Sequence, residues 1–286
     1  MLGFQISAGS IIGRDHMDIP QNNQDAYRYL VTDNLIIAII CDGCGDRKDT
    51  VASELGARLG ANLLAHTIIS HAKKMGFNYS DLRREDCEHP GFWERIRQDV
   101  LAKIRVIALD IGESFSEVIQ SYFLFTTIGV LITPSWSIFF SIGDGLIVIN
   151  GEFRQIGPFA ENKPPYIAYA LSDTGSQNQA FRFTLQSVLP TDKIENFLLG
   201  SDGSVELSTL ATHKMPDGSE IGPLSQFWEN EGYFKNPDMI RRRLKLINSD
   251  VVKITSGVVT KRRPLLSDDT TIVVGKRILN DFGSNW

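Results

Sequence analysis

Residues 35–45 of this chain read LIIAIICDGCG, and this stretch constrains the fold more than any other. Its apolar residues run without interruption into Cys41, which predicts a short strand buried on both faces. Asp42 stands where that strand ends, so a rigid element would hold its carboxylate at the rim of the core. Gly43 permits a sharp turn and leaves its carbonyl accessible, so the pair offers oxygen ligands for a hard divalent cation. The alternative to a metal-binding pair is an ordinary Asp-Gly turn at Asp42 and Gly43. Taken alone, this dipeptide favours the turn.

Strand-like and helix-like segments follow one another along the whole chain. Apolar runs and alternation predict strands at 4–12, 26–32, 35–41, 122–133, 136–144, 145–156, 181–188, 194–200 and 270–278. Of these, the segments within 122–156 are expected to form a meander. The stretches 13–24 and 75–90 are expected to be loops, and 157–187 an irregular flap.

Helical spacing of apolar residues predicts the helices. The first should run from an N-cap at Asp49 or Thr50 to about Ser70, the second over about 92–111, and the third from Asn236-Pro237 through Asn248. The apolar face of the first is predicted to consist of Val51, Leu55, Leu59, Leu63 and Leu64. Strands, two long helices and then more strands indicate one α+β domain over 1–286, whose sheets pack together and carry helices outside.

Composition excludes several classes of function. The formal charge of −5 and the pI near 5.6 argue against a nucleic-acid partner, which would favour a basic face. Three cysteines are too few for a disulfide framework. No apolar run reaches the ~18 residues of a membrane span. We therefore expect a cytoplasmic protein that does not cross a membrane, and a monomer.

Acidic residues recur at the ends of the apolar strands. Asp42 and Asp202 each follow such a strand, Asp268 precedes the last one, and Asp144 stands between two others. Each could be only a turn residue. Because packed sheets bring strand ends together at one rim, we expect these carboxylates to meet there and to require a cation that offsets their repulsion. Ligation by oxygen alone favours Mg²⁺ or Mn²⁺ over Zn²⁺.

The order of the motifs QDAY, DGCG, GDG, SDG and DDTT, from about residue 9 to residue 276, resembles the metal-dependent (PPM, type 2C) Ser/Thr protein phosphatases. A bacterial branch of that family is the more similar one, because Gly13 and His16 precede the pair Gln24-Asp25. The resemblance implies two antiparallel β-sheets packed as a sandwich with α-helices on both outer faces, a four-layer αββα arrangement.

The resemblance also implies roles for the acidic residues. Asp42 matches the carboxylate that bridges two metal ions, and Gly43 the residue that gives its carbonyl to one of them. Asp202 and Asp268 match ligands of the second ion, and Asp144 matches a ligand of a weaker third ion.

The implied reaction is hydrolysis of phosphoserine or phosphothreonine in a protein substrate. Two Mg²⁺ or Mn²⁺ ions about 4 Å apart would hold a hydroxide that attacks phosphorus directly, with no phospho-enzyme. Asp42 is predicted to be catalytic because it would hold these ions. Asp25 matches an acidic residue that orients metal-bound water.

The chain departs from the family pattern at three positions. Gln24 replaces a Glu, Cys44 stands where animal members place a candidate general acid His, and Pro20 occupies the position of a phosphate-binding Arg. Three other residues are candidates for phosphate binding by their place in the sequence: Arg14, His16 and Arg47. These departures leave a second class open, a phosphatase-like binding or regulatory module without activity.

Overall fold

The computed structural model describes residues 2–19, 21–44, 52–112, 114–172, 178–215, 217–255 and 258–278. The predicted N-caps Asp49 and Thr50 lie outside the described residues, and so does the phosphate-binding candidate Arg47.

Strands and helices within these ranges are numbered in chain order. The strands are β1 (Phe4–Ile11), β2 (Asp25–Val31), β3 (Ile36–Gly43), β4 (Phe125–Ile132), β5 (Trp136–Ile142), β6 (Gly145–Ile149), β7 (Glu152–Ile156), β8 (Thr184–Pro190), β9 (Asn196–Gly200), β10 (Val251–Thr255), β11 (Val258–Arg262) and β12 (Thr270–Arg277). The helices are α1 (Arg14–Asp18), α2 (Ser53–Lys74), α3 (Arg84–Glu88), α4 (Pro90–Ile111), α5 (Phe115–Tyr122), α6 (Gly203–Thr209), α7 (Gln226–Glu229), α8 (Gly232–Lys235) and α9 (Met239–Ile247).

Two antiparallel sheets form the centre of the molecule. One has the strand order β1-β12-β9-β6-β7, and the other has the order β2-β3-β4-β5-β8. The strand β3 pairs with β2 in the register Asp25–Asp42, as the hairpin pattern predicted, and with β4 in the register Asp42–Thr126. Strands β10 and β11, which the sequence did not predict, form a separate two-stranded hairpin.

Alternation along β3 explains why the sheets can pack on both sides. Ile36, Ala38 and Ile40 lie in the apolar layer between the sheets, together with residues of β9 and β12. Ile37 and Ile39 face the opposite way, into a layer shared with α2, α4 and α5. All five are at most 1% exposed, so the strand is buried on both faces as predicted.

A third apolar layer lies on the outer face of the other sheet, where residues of α6, α7, α8 and α9 pack on β1, β9 and β12. The sheets therefore carry helices on both outer sides. This confirms the predicted α+β fold of two packed antiparallel sheets with flanking helices. Among the described residues, no helix combines the length and the apolar composition that crossing a bilayer requires.

The face that α2 presents to the sheet differs from the predicted one. Leu55 is 42% exposed, and Leu59 and Leu63 are only partly buried. Leu64 is buried as predicted, and Val51 lies outside the described residues. The other buried positions of the first turns are small residues, among them Gly56 and Gly60. Small side chains let the helix approach the strands closely, so the largest apolar residues of a helix do not always mark its buried face.

Several local predictions were wrong because tertiary contacts decide them. The stretch 13–24 contains α1, and 75–90 contains α3. Residues 115–122 form α5, so the strand predicted from 122 begins at 125. The third helix starts at Met239 instead of Pro237, and α6 to α8 were not predicted.

The predicted meander is interrupted, because β5 and β6 belong to different sheets. The chain crosses between the sheets at Gly143, whose φ is +93°, a conformation that favours glycine. A Cβ atom there would also overlap the side chain of Thr126. The hairpin predicted at Asn150-Gly151 is present between β6 and β7. The predicted flap is partly a core segment, since Tyr166, Ile167 and Ala168 are buried.

We predict that Gly56→Ala destabilises the protein. The added methyl group would overlap the carbonyl oxygen of Tyr122 and push α2 away from the chain that enters β4. We expect a loss of about 1–3 kcal/mol in the free energy of unfolding, measured by urea titration. Leu55→Ala on the exposed face is the control and should cost about 0.5 kcal/mol or less. Equal losses for the two variants would contradict the close approach.

Candidate active site

The strand ends of both sheets meet at one end of the sandwich. Asp42 is the penultimate residue of β3, Asp202 follows β9, and Asp268 precedes β12. Strands β9 and β12 pair there in the register Gly200–Ile272. Asp144 lies in the β5–β6 crossover. The predicted convergence of these distant carboxylates is therefore present in the structure.

They line one cleft of about 390 Å³. The cleft is walled by α1 and the segment after it on one side and by the stretch before β8 on the other. Its lining residues are Asp15, His16, Ile19, Gln21, Gln24, Asp42, Gly43, Cys44, Thr126, Asp144, Pro164, Tyr166, Asp202, Ser267 and Asp268.

Burial and mutual repulsion raise the pKa of each of these carboxyl groups. The pKa of Asp42 lies well above its ordinary value, first because of burial and second because of the charge of Asp202. The carboxyl groups of Asp42 and Asp202 are in contact. Burial also raises the pKa values of Asp202 and Asp144. The pKa of Asp268 rises to about 6, from burial and from the charge of Asp202. Such crowding is unfavourable unless protons or cations neutralise it.

The oxygen atoms of this cluster suit a divalent cation. Asp25 Oδ1, Asp202 Oδ1 and Gln24 Oε1 are buried and have no hydrogen-bond partner among the described residues. The potential metal ligands in the cleft are oxygen atoms of carboxylates, of an amide side chain and of the Gly43 backbone. Mg²⁺ and Mn²⁺ prefer such oxygen atoms over softer ligands. The residues present therefore fit the metal ions that the resemblance implies.

Asp25 does not line this cleft but lines the neighbouring cavity between β2 and α2. Its side chain is buried, and its Oδ2 accepts a hydrogen bond of 2.7 Å from the Ser201 hydroxyl. Burial and the charge of Asp269 raise the pKa of Asp25 well above its ordinary value. The β2–β3 register places this carboxylate directly beside Asp42, where it can act on groups bound in the cleft.

Asp269 is a functional residue that the sequence reasoning missed. It is 2% exposed, and its two oxygens accept hydrogen bonds from the backbone N–H groups of Gly13, at 2.7 Å, and Gln24, at 2.5 Å. Backbone N–H groups of α1 donate to the carbonyls of residues 266 and 267. These long-range bonds explain why α1 forms where the sequence predicted a loop. The doubled Asp in DDTT was the available signal: one carboxylate faces the cleft and the other anchors the facing segment.

His16 lies at the cleft, and Arg14 does not line it. The His16 Nδ1 atom is 3.0 Å from Asp269 Oδ2, and this contact raises the pKa of His16. The Arg14 guanidinium contacts Asp15 and donates to the carbonyl of Pro264, so its role in phosphate binding stays a prediction without support from this geometry.

His16, Asp268 and Asp269 each offer an atom within 4.8 Å of the others, close enough for one metal ion. Both Asp269 oxygens already accept backbone hydrogen bonds, however, which weakens that grouping as a metal site.

The stretch before β8 closes the cleft opposite α1. Tyr166 is 5% exposed, and its hydroxyl contacts the Cys44 thiol. Burial raises the pKa of this tyrosine far above its ordinary value, so it stays a neutral hydrogen-bonding group. Cys44 itself is half-buried and unpaired. The residue at the candidate general-acid position is thus held against a buried aromatic side chain.

Comparisons with known proteins agree with this geometry. The family model for protein phosphatase 2C matches residues 12–232. A point mutant of a bacterial serine phosphatase is similar over 96% of this chain and 98% of its own, with a TM-score of 0.53 and 13% identity. The serine/threonine phosphatase Stp1 from Staphylococcus aureus is similar over 96% and 95%, with a TM-score of 0.50 and 13% identity. A comparison with curated protein sequences gives no match.

The chain belongs to the protein phosphatase 2C family, because the family model covers most of its length. The predicted family is confirmed. Because the two solved structures are 13% identical to this chain, their similarity establishes a shared fold and no more.

The raised pKa values predict how pH acts on the cation-free protein. A carboxyl whose pKa is higher in the folded chain stabilises the fold below its unfolded pKa of about 3.9, and this stability is lost as pH rises through the folded value. Asp202→Asn removes one of the crowded charges. We therefore expect this variant, in EDTA, to melt at a higher temperature than wild type at about pH 7.5, with the gap closing toward about pH 4.

Thermal melts in EDTA and in Mn²⁺ at several pH values test this. Mn²⁺ should raise the melting temperature of wild type more at about pH 7.5 than at about pH 5, because protons compete for the same oxygens. Mn²⁺ should raise the melting temperature of Asp202→Asn less than that of wild type. A gap between variant and wild type that does not depend on pH would contradict the crowding.

Proposed function

We propose that this protein is a Mg²⁺- or Mn²⁺-dependent phosphatase that hydrolyses phosphoserine and phosphothreonine in proteins. The observation that carries the proposal is the meeting of Asp42, Asp202, Asp268 and Asp144 in one cleft of a protein phosphatase 2C fold. Phosphate monoesters hydrolyse extremely slowly without a catalyst, and clustered buried carboxylates are costly unless they hold cations. A site of this composition is suited to that reaction.

In this proposal Asp42 holds both ions, and the Gly43 carbonyl contributes to one of them. Asp202 and Asp268 hold the second ion, and Asp144 a weaker third ion. Two ions supply, when bound, Lewis-acid stabilisation of phosphate charge and an activated water.

Other residues would bind and orient the reacting groups. Ser201 fixes one oxygen of Asp25, so the unpartnered Oδ1 can accept a hydrogen bond from water in the cleft. His16 directs its Nδ1 atom at Asp269, and the protonated imidazole, which this contact favours, would donate from Nε2 to a phosphate oxygen. Arg47 remains a candidate for binding the phosphate. We also propose that the protein acts as a single-domain monomer in the cytoplasm, where its three cysteines would stay reduced.

Hydrolysis of p-nitrophenyl phosphate with and without Mn²⁺ tests the proposal. Wild type should be active only with the metal, and Asp42→Ala or Asp202→Ala should lower kcat/KM by about a thousandfold or more, because the ions lose a ligand. Hydrolysis of a phosphoserine peptide tests the substrate class.

Asp110→Ala, at an exposed position on α4, is the matched control and should keep full activity. Unfolding curves should show that all variants remain folded. Activity retained by Asp42→Ala would contradict the site assignment. An inactive wild type with every metal tested would instead favour the non-catalytic binding module.

A further inference from the structure

A second cavity, of about 650 Å³, lies beside the catalytic cleft between strand β2 and helix α2. We propose that this β2–α2 groove binds acidic residues that flank the phosphorylated residue of a protein substrate. The inference rests on the proposed function, and it adds a substrate preference. The lining of the groove includes two arginines, Arg28 and Arg58, and two acidic residues, Asp25 and Glu54.

Two structural elements form the walls of the groove. β2 is an edge strand, with β3 as its neighbour in the sheet. Helix α2 packs along it and places Glu54, Arg58 and Asn62 on one face, four residues apart. Arg28 lies on the same face of β2 as Ala26, which packs toward the layer that contains α2. Arg28 and Arg58 therefore contribute to the same groove.

The charge of the groove indicates its ligand. Arg28 and Arg58 are both exposed, and neither makes an ion pair or a side-chain hydrogen bond within the described part of the chain. Glu54 accepts a hydrogen bond from Asn22 Nδ2 at 3.0 Å, and Asp25 is buried. Glu54 therefore still contributes one negative charge, and the groove presents two exposed guanidinium groups that no carboxylate of the described residues contacts directly, on a protein whose net charge is −5. Carboxylates are the groups that such guanidiniums bind best.

The edge strand adds a second kind of contact. An extended peptide can pair with the outer backbone groups of an edge strand and place alternate side chains in a neighbouring groove. Here those side chains would meet Arg28 from the strand and Arg58 from the helix. A partner of this description is an extended, acidic polypeptide segment.

The groove is adjacent to the catalytic cleft in the chain, because neighbouring residues line the two cavities. Gln21 and Gln24 line the cleft, whereas Asn22 and Asn23, between them, line the groove. One short segment therefore forms the wall between the two cavities. A polypeptide with its phosphorylated residue in the cleft can cross this wall and place flanking residues beside Arg28 and Arg58.

Arg28 alone has another explanation. Charged residues on edge strands prevent unwanted pairing between sheets of different molecules. That role does not explain Arg58, which lies on the helix and faces the same groove. The two explanations differ in what removal of both arginines does to substrate preference.

Steady-state kinetics of the double variant Arg28→Ala/Arg58→Ala tests the inference. The substrates are p-nitrophenyl phosphate and three phosphoserine peptides with acidic, neutral or basic flanking residues. For the acidic peptide we expect KM to rise about fivefold to tenfold with kcat unchanged, and this effect to shrink at high salt. The neutral peptide and p-nitrophenyl phosphate should be hydrolysed as by wild type.

Lys73→Ala/Lys74→Ala is the matched control, since it removes two exposed charges from the other end of α2. It should leave all four substrates unaffected. If Arg28→Ala/Arg58→Ala does not fold, Arg28→Gln/Arg58→Gln takes its place. An unchanged KM for the acidic peptide would overturn the groove and leave the proposed function intact.

A binding experiment keeps the two proposals separate. Fluorescence anisotropy of a labelled, unphosphorylated acidic peptide with cation-free protein requires no catalysis. Weaker binding by Arg28→Ala/Arg58→Ala than by wild type and the lysine control supports the groove, even if the wild type proves inactive. Equal binding by all three proteins, or no binding by wild type, overturns it.

Discussion

Mutual repulsion among carboxylates crowded into one cleft is the constraint on which the rest of this structure depends. Asp42, Asp202 and Asp268 come from three strands in two sheets, and no local segment could hold them together against their own charge. Their raised pKa values express this conflict. The free energy that holds these carboxylates in place comes from burial of the apolar layers on either side of each sheet. A bound cation would attract each carboxylate and so offset their mutual repulsion.

The sheets and helices that carry these carboxylates are rigid because they pack closely against one another. Helix α2 lies against the sheet through small residues such as Gly56, and the chain crosses between the sheets at Gly143 in a conformation that glycine tolerates. Close approach of this kind leaves little freedom for strand ends to shift. The carboxylates are therefore arranged before any ligand arrives, as electrostatic catalysis requires.

A layer of hydrogen bonds connects this rigid base to the surface that meets a substrate. Asp269 fixes both ends of the segment between Gly13 and Gln24, and that segment carries His16. The same segment forms the wall between the catalytic cleft and the β2–α2 groove. One buried carboxylate thus positions a candidate phosphate contact together with the boundary of a surface suited to acidic peptides.

Hydrophobic patterning alone determined the strands of the two five-stranded sheets, the two long helices and the identity of the acidic residues at the strand ends, because periodicity and apolar runs are local properties of the chain. Only the tertiary structure decided which face of α2 is buried, that β5 and β6 belong to different sheets, and that residues 14–18 form a helix. Leu55 is exposed and Gly56 is buried because the sheet, not the helix, selects the contact face. Asp269 could not be separated from Asp268 by sequence, since their roles depend on partners about 250 residues away in the chain.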